Sequence, residues 1–335
     1  MKRLATLALA VVLAASAAGA QTPAGRETRS ESDTSEATAT GRVRHVKRWW
    51  HLWRPAKDNA ADQKAYADKL NADGQIRRAT RAYRALVYTW PSAPEAPAAQ
   101  SAYAELLRRR ERLTEAFDEY QFLIETYAGF YPCEPALERQ YEIARSLAET
   151  PHRFLFATWT ESKRAIPLFE KILRNAPRWP RAAEIQYRIG RIRQEHGEYD
   201  RAIEAYTLVQ QRYPGTVWAH EAAFGLVECH YALANDYPNS ADMRQNAAAM
   251  LRDYMVRYPT SEHNARVRML LAEINRAEAA ELYRQARVYY HTLNQPRSAI
   301  MAYERLIKEY PDSAWAGPAR TRIAQLERIL ARQER

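Results

Sequence analysis

From about residue 60 onward, the apolar positions of the chain recur in one pattern. Six times an alanine is followed at +4 by a large apolar residue, aromatic in five cases, and at +7 by another; five of the six sets carry proline at +12. The first three sets are Ala79, Tyr83, Leu86, Pro91; then Ala116, Tyr120, Leu123, with Ala128 at the proline position; then Ala165, Phe169, Ile172, Pro177. The series continues with Ala202, Tyr206, Val209, Pro214, with Ala247, Leu251, Tyr254, Pro259, and with Ala299, Tyr303, Leu306, Pro311. Offsets of 0, 4 and 7 share one helix face. The small residue admits a neighbouring helix, the large ones fill the space beside it, and proline ends the helix by clashing with the preceding turn.

A second amphipathic stretch precedes each set, as at residues 183–195 and 277–291. Each unit therefore reads as a helical hairpin that buries its apolar face only by stacking on the next. The predicted fold is all-α, a solenoid of such hairpins. Successive alanines lie 37, 49, 37, 45 and 52 residues apart, so helices are lengthened or segments inserted, notably at residues 152–162, 235–243 and 264–277. The aromatic load, 21 tyrosines and 8 tryptophans, is largely absorbed by this core: Tyr83, Tyr120, Tyr206, Tyr254 and Tyr303 all fall on packing positions.

These residues resemble the tetratricopeptide repeat, whose ideal length is about 34 residues. The fourth unit is most similar, with Gly190 at a close-packing point, Gly197 in the turn, Tyr199 leading into the second helix, and then Ala202, Tyr206 and Pro214. Unit ends reading RYPGT (residues 212–216), RYPTS (257–261) and EYPDS (309–313), together with the block at 294–326, resemble the BamD family of outer-membrane β-barrel assembly. That resemblance implies a periplasmic, non-catalytic scaffold. It would bind protein partners, namely subunits of the β-barrel assembly machinery and unfolded outer-membrane proteins, at the inner face of the outer membrane. Related exported repeat proteins share such ends, so an adaptor of the Tol-Pal or peptidoglycan machinery is the alternative. The family carries a lipid on a cysteine that has no counterpart here, and this chain shows six units where the family has five.

The expected division is a signal peptide at 1–20, a flexible linker at 21–58, and about six repeats at 59–335 closed by a C-terminal capping helix. Lys2 and Arg3 precede an apolar run and the small-x-small triplet Ala18, Gly19, Ala20, so cleavage before Gln21 is expected. Removal of Lys2 and Arg3 takes the net charge from +10 to +8. Residues 21–40 are rich in Ser, Thr and Glu and read as a linker.

Composition then shifts. Residues 41–57 (GRVRHVKRWWHLWRPAK) hold six bases, no acid and three tryptophans. Arg42, Arg44, Lys47, Arg48, Arg54 and Lys57 suit anionic headgroups, and Trp49, Trp50 and Trp53 suit a membrane interface. The same residues also read as a cap over the first repeat, since terminal repeats need their apolar ends covered, or as a dock for an acidic partner.

Catalytic chemistry is hard to find. No two of the ten glycines have the spacing of a phosphate loop, a dinucleotide-binding turn or a nucleophile elbow. No pair of the eight histidines stands at i, i+4, and no C-x-x-C occurs, so no cofactor and no metal site is read from the sequence. Adjacent Cys229 and His230 point about 100° apart on a helix. Cys133 and Cys229 are expected as buried thiols rather than a disulfide. A pI near 9.5 fits nucleic-acid binding, but export argues against that partner. Binding is therefore expected on a concave groove formed by first helices, with Gln186, Arg193 and Arg287 as candidate contacts.

Overall fold

A computed structural model describes residues 54–149, 151–154, 157–160 and 162–333. The expected signal peptide and most of the linker, with Arg42, Arg44, Lys47, Arg48, Trp49, Trp50 and Trp53, lie outside the described residues. Among the described residues there are thirteen α-helices. They run α1 (Ala60–Ala72), α2 (Ile76–Thr89), α3 (Ala96–Arg109), α4 (Leu113–Thr126), α5 (Cys133–Glu149), α6 (Ile166–Asn175) and α7 (Ala182–Glu195). Then follow α8 (Tyr199–Arg212), α9 (Val217–Asp236), α10 (Ala241–Arg257), α11 (Asn264–His291), α12 (Pro296–Glu309) and α13 (Ala316–Gln333). Consecutive helices pack as hairpins, each also touching the next, and α13 lies on α12. The architecture is the all-α solenoid that the periodicity predicts. None of the described helices is long and apolar enough to cross a membrane.

The spacing works as the physics requires. All six alanines, Ala79, Ala116, Ala165, Ala202, Ala247 and Ala299, are wholly buried, and the residues at +4 and +7 are at most 3% exposed. Burial of each of those larger side chains contributes roughly 1.5–3 kcal/mol. Second helices end on Trp90, Tyr127, Ala176, Tyr213, Tyr258 and Tyr310, each donating its N–H four residues back. In all but the Tyr127 case the next residue is proline, which biases its predecessor out of the helical region. Two of these tyrosines reach one unit back: the Tyr127 hydroxyl donates to the Pro91 carbonyl at 2.9 Å, and Tyr213 to Pro177 at 3.1 Å. A tyrosine at the end of a second helix thus ties its unit to the one before.

Helix starts follow local chemistry. Asn59, Thr216 and Ser240 cap α1, α9 and α10 through their side-chain oxygens. Proline stands in the first turn of α3, α6 and α12, where a missing N–H costs nothing.

The long spacings resolve into three different devices. Between α5 and α6 stands a β-hairpin, β1 (Pro151–Phe154) and β2 (Ala157–Thr160), with Pro151 opposite Thr160, followed by a 3-10 turn at Ser162–Ala165. In the fifth unit both helices are long and only a short connector separates them. In the sixth, the first helix does not begin near residue 277: it starts at Asn264 and runs unbroken to His291. Val267, Leu270 and Ile274 pack into the fifth unit's core, whereas Leu282 and Ala286 pack with Tyr303 and Leu326. One helix therefore serves two cores.

Candidate functional site

The first helices α7, α9 and α11 line a cavity of about 600 Å³. Tyr187, Phe224, Tyr231 and Leu270 give it an apolar floor, and Arg191, Arg266, Glu195 and Glu228 give it a charged rim of mixed sign. A polar relay crosses its wall. The Tyr206 hydroxyl donates to Gln194 Oε1 at 2.6 Å, and Gln194 Nε2 donates to Glu228 Oε2 at 3.0 Å, coupling α8, α7 and α9. Tyr187 packs between Tyr206 and Trp218, with ring centroids 5.7 and 5.2 Å away. Tyr231 donates its hydroxyl to Glu273 of α11. At the end nearest the start of α11, the His263 ring stacks on Phe224 (4.0 Å, 6°) and its Nε2 lies 3.3 Å from Glu221 Oε1.

The sequence-derived contacts fall elsewhere. Gln186 is a correction: it is 6% exposed, and its Nε2 donates to the Ala205 carbonyl at 3.2 Å, inside the hairpin. One step along a helix turns the side chain by about 100°, so Tyr187 meets the groove and Gln186 does not. Arg193 is tied down as well, donating to the Arg201 carbonyl and to Glu170 Oε1 at 3.2 and 3.3 Å. Arg287 is exposed on α11, near Tyr303. Arg54 lines a smaller cavity with Gln63, Tyr66, Arg78 and Arg81 on the first hairpin.

The glutamine has an identifiable signal that composition does not reveal. Gln63, Gln100 and Gln186 each stand sixteen residues before their unit's alanine, and each donates Nε2 to the carbonyl three residues after it, at Ala82, Glu119 and Ala205. The position is part of the repeat, a buried amide joining the two helices of a hairpin.

The reactive side chains are withdrawn. Cys229 is fully buried, and burial, with Glu228 adding to it, pushes its thiol up to about 12. Burial pushes the neighbouring His230 down, against a smaller opposing effect of Asp200. A thiol so rarely ionised is a poor nucleophile. Both cysteines are free, and Cys133, contrary to the expectation of burial, is partly exposed.

Residues 179–335 match the family model described as an outer membrane lipoprotein, YfiO, and residues 67–129 match a tetratricopeptide-repeat model. The chain carries tetratricopeptide repeats and resembles BamD. It is 24% identical over 152 residues to the outer membrane protein assembly factor BamD of Pasteurella multocida (strain Pm70), an alignment covering 44% of this chain and 55% of that protein. The chain thus spans about half the length of the curated relative it matches. Among solved structures, it is similar to a tetratricopeptide repeat protein from Parabacteroides merdae ATCC 43184 (TM-score 0.31, 13% identity, 80% of this chain and 98% of that one). It is also similar to a thermophilic tetratricopeptide repeat protein of Thermus thermophilus (TM-score 0.29, 15% identity, 64% and 98%). The YfiO-matching region contains α7 to α13, so the aromatic groove lies wholly within it.

Proposed function

We propose that this chain is an exported, BamD-like scaffold that binds protein partners during outer-membrane β-barrel protein assembly. On this reading residues 1–20 direct export, residues 21–58 link, and the repeats from 59 onward act in the periplasm at the inner face of the outer membrane. The observation that carries the reading is the groove of α7, α9 and α11 inside the region that matches the outer membrane lipoprotein family. An open floor of aromatic rings with a rim of both charge signs suits an extended or helical peptide, since the rings supply contact area and the rim sets register.

The test is recovery of partners from solubilised envelope with the full chain as bait. Subunits of the β-barrel assembly machinery should co-purify, and the doubly charge-reversed variant Arg191→Glu/Arg266→Glu should lose them while keeping its helicity. Recovery of Tol-Pal or cell-wall proteins in their place would overturn this reading in favour of the envelope-adaptor alternative.

A further inference from the structure

Where the fifth unit meets the sixth, metal-binding donors of different kinds converge. Glu221 from α9, and Glu262 and His263 from the entry to α11, each place one ligand atom within 4.8 Å of the others. His263 Nε2 stands 3.3 Å from Glu221 Oε1. Two donors bound tetrahedrally to one zinc ion, each about 2.0–2.1 Å from it, lie about 3.3 Å apart. The imidazole is held in that attitude, because its ring is stacked on Phe224.

A second histidine flanks the group. His220 Nδ1 is 4.0 Å from the same Glu221 oxygen, and its Nε2 meets the Tyr254 hydroxyl at 3.0 Å and Ser261 Oγ at 3.1 Å. Tyr254 and Ser261 hold the His220 ring through Nε2 and leave Nδ1 toward the Glu221 carboxylate, where a small shift would make it the hydrogen-bonded outer partner of that ligand. Arg266 lines the cavity that holds Glu221 and His263, and Arg257 lines the neighbouring cavity that holds His220 and Glu262, so two cations border the group. Two carboxylates balance a divalent ion's charge, and the side chains of Glu221, His263 and His220 are 21–30% exposed, which leaves an ion a path in.

We propose that Glu221, Glu262 and His263 bind a divalent transition-metal ion, zinc fitting best, with His220 beside them as positioning residue. One imidazole and two carboxylates form a donor set of intermediate hardness that zinc accepts, whereas calcium or magnesium would favour oxygen alone. The ion would join α9 to the start of α11 and so fix the fifth unit against the sixth, whichever partner the groove receives.

Chelator-treated, untagged full chain titrated with zinc against a chromophoric competitor tests this. One zinc should bind per chain with saturation in the micromolar range and raise the melting temperature. Glu221→Gln and His263→Ala should each weaken binding at least about tenfold, while His291→Ala, at the far end of α11, should leave it unchanged. X-ray absorption of the loaded wild-type chain should show imidazole and oxygen ligands, a readout independent of whether the variants fold. Absence of saturable binding, unchanged affinity in both ligand variants, or a shell containing sulfur would overturn the assignment.

Discussion

Gly190 presents its backbone to the Tyr206 ring so closely that a Cβ there would stand 2.6 Å from Cε1. Gly225 does the same from the opposite edge, at 2.6 Å from Cε2, so the ring is held between α7 and α9 with room for nothing larger than hydrogen. Alanine is the better helix former by about 1 kcal/mol, yet the ring belongs to a fully buried side chain that cannot step aside. Gly190→Ala and Gly225→Ala should therefore each destabilise by about 1–3 kcal/mol net, read as a lowered urea midpoint. In a Tyr206→Leu background the penalty of either should shrink, because the atoms that clash are gone. Ala202→Phe, at another wholly buried contact, should cost about 1–3 kcal/mol by the same overpacking.

Four units turn between their helices on a residue in the left-handed region, five positions before the alanine: Gly74 (φ 71°), Glu111 (φ 57°), Gly197 (φ 72°) and Asn294 (φ 52°). A side chain with a Cβ costs about 1–2 kcal/mol in that conformation, least for asparagine. Glu111→Gly should raise the melting point, by somewhat less than about 1 kcal/mol of stability once glycine's greater unfolded freedom is offset. Gly197→Ala should lower it by about 1 kcal/mol, although no atom lies within 4 Å of the added methyl. A neutral result at both positions would show that the turns relax.

The alanine-aromatic-apolar spacing was legible because it is a packing rule, and every one of its residues is buried. The turn rule was only half legible, since Gly197 announces a left-handed turn and Glu111 does not. Third and fifth units escape that rule, and they are the ones whose helices are joined otherwise, by β1 and β2 or by the cap at Ser240. The long α11 was illegible near its start because residues 264–277 belong to a different core from the residues that follow. The cavity on α7, α9 and α11 is lined by none of the polar candidates Gln186, Arg193 and Arg287. Polarity singled out Gln186 and Arg193, whereas the aromatic floor at Tyr187, Phe224 and Tyr231 resembles core residues in sequence.

Acid should weaken the second unit. Burial alone would raise the Glu105 carboxyl, but paired hydrogen bonds from Arg108 (2.8 and 2.9 Å), with Tyr120 and Arg109 adding theirs, outweigh it and hold Glu105 at about 2. A carboxylate lowered on folding from 4.5 contributes stability that is complete above pH 4.5 and fades between there and about 2. Melting temperature should fall through that window in the wild type and fall less steeply in Glu105→Gln, which is already weakened at pH 7.

The thiols should behave unequally. Cys133 is partly exposed at the start of α5, while Cys229 is buried with its ionisation suppressed. Native protein at pH 8 should take up one equivalent of a thiol reagent promptly and a second only in denaturant. Two prompt equivalents would mean that α9 opens readily in the native state.

Buried amides and groove charges should separate stability from binding. Gln63 is 1% exposed and engaged at both ends of its amide: Oε1 accepts from the Ala56 and Lys57 amides at 2.9 and 3.1 Å, and Nε2 donates to Ala82. Gln63→Ala removes three hydrogen bonds and also releases the chain at residues 54–57, whereas Gln186→Ala removes the single bond to Ala205. Each buried group left without a partner costs about 1–3 kcal/mol, so the first substitution should lower the melting point more than the second. Neither amide faces the groove, so at temperatures where these variants are folded, partner recovery from envelope should match the wild type. Arg191→Glu, by contrast, alters an exposed rim residue whose pairing with Glu195 at 3.2 Å adds little to stability. It should weaken partner recovery and leave the melting point within about 0.5 kcal/mol of the parent. If Gln186→Ala abolished binding in a folded chain while Arg191→Glu did not, the binding surface would lie between α7 and α8 instead of across α7, α9 and α11.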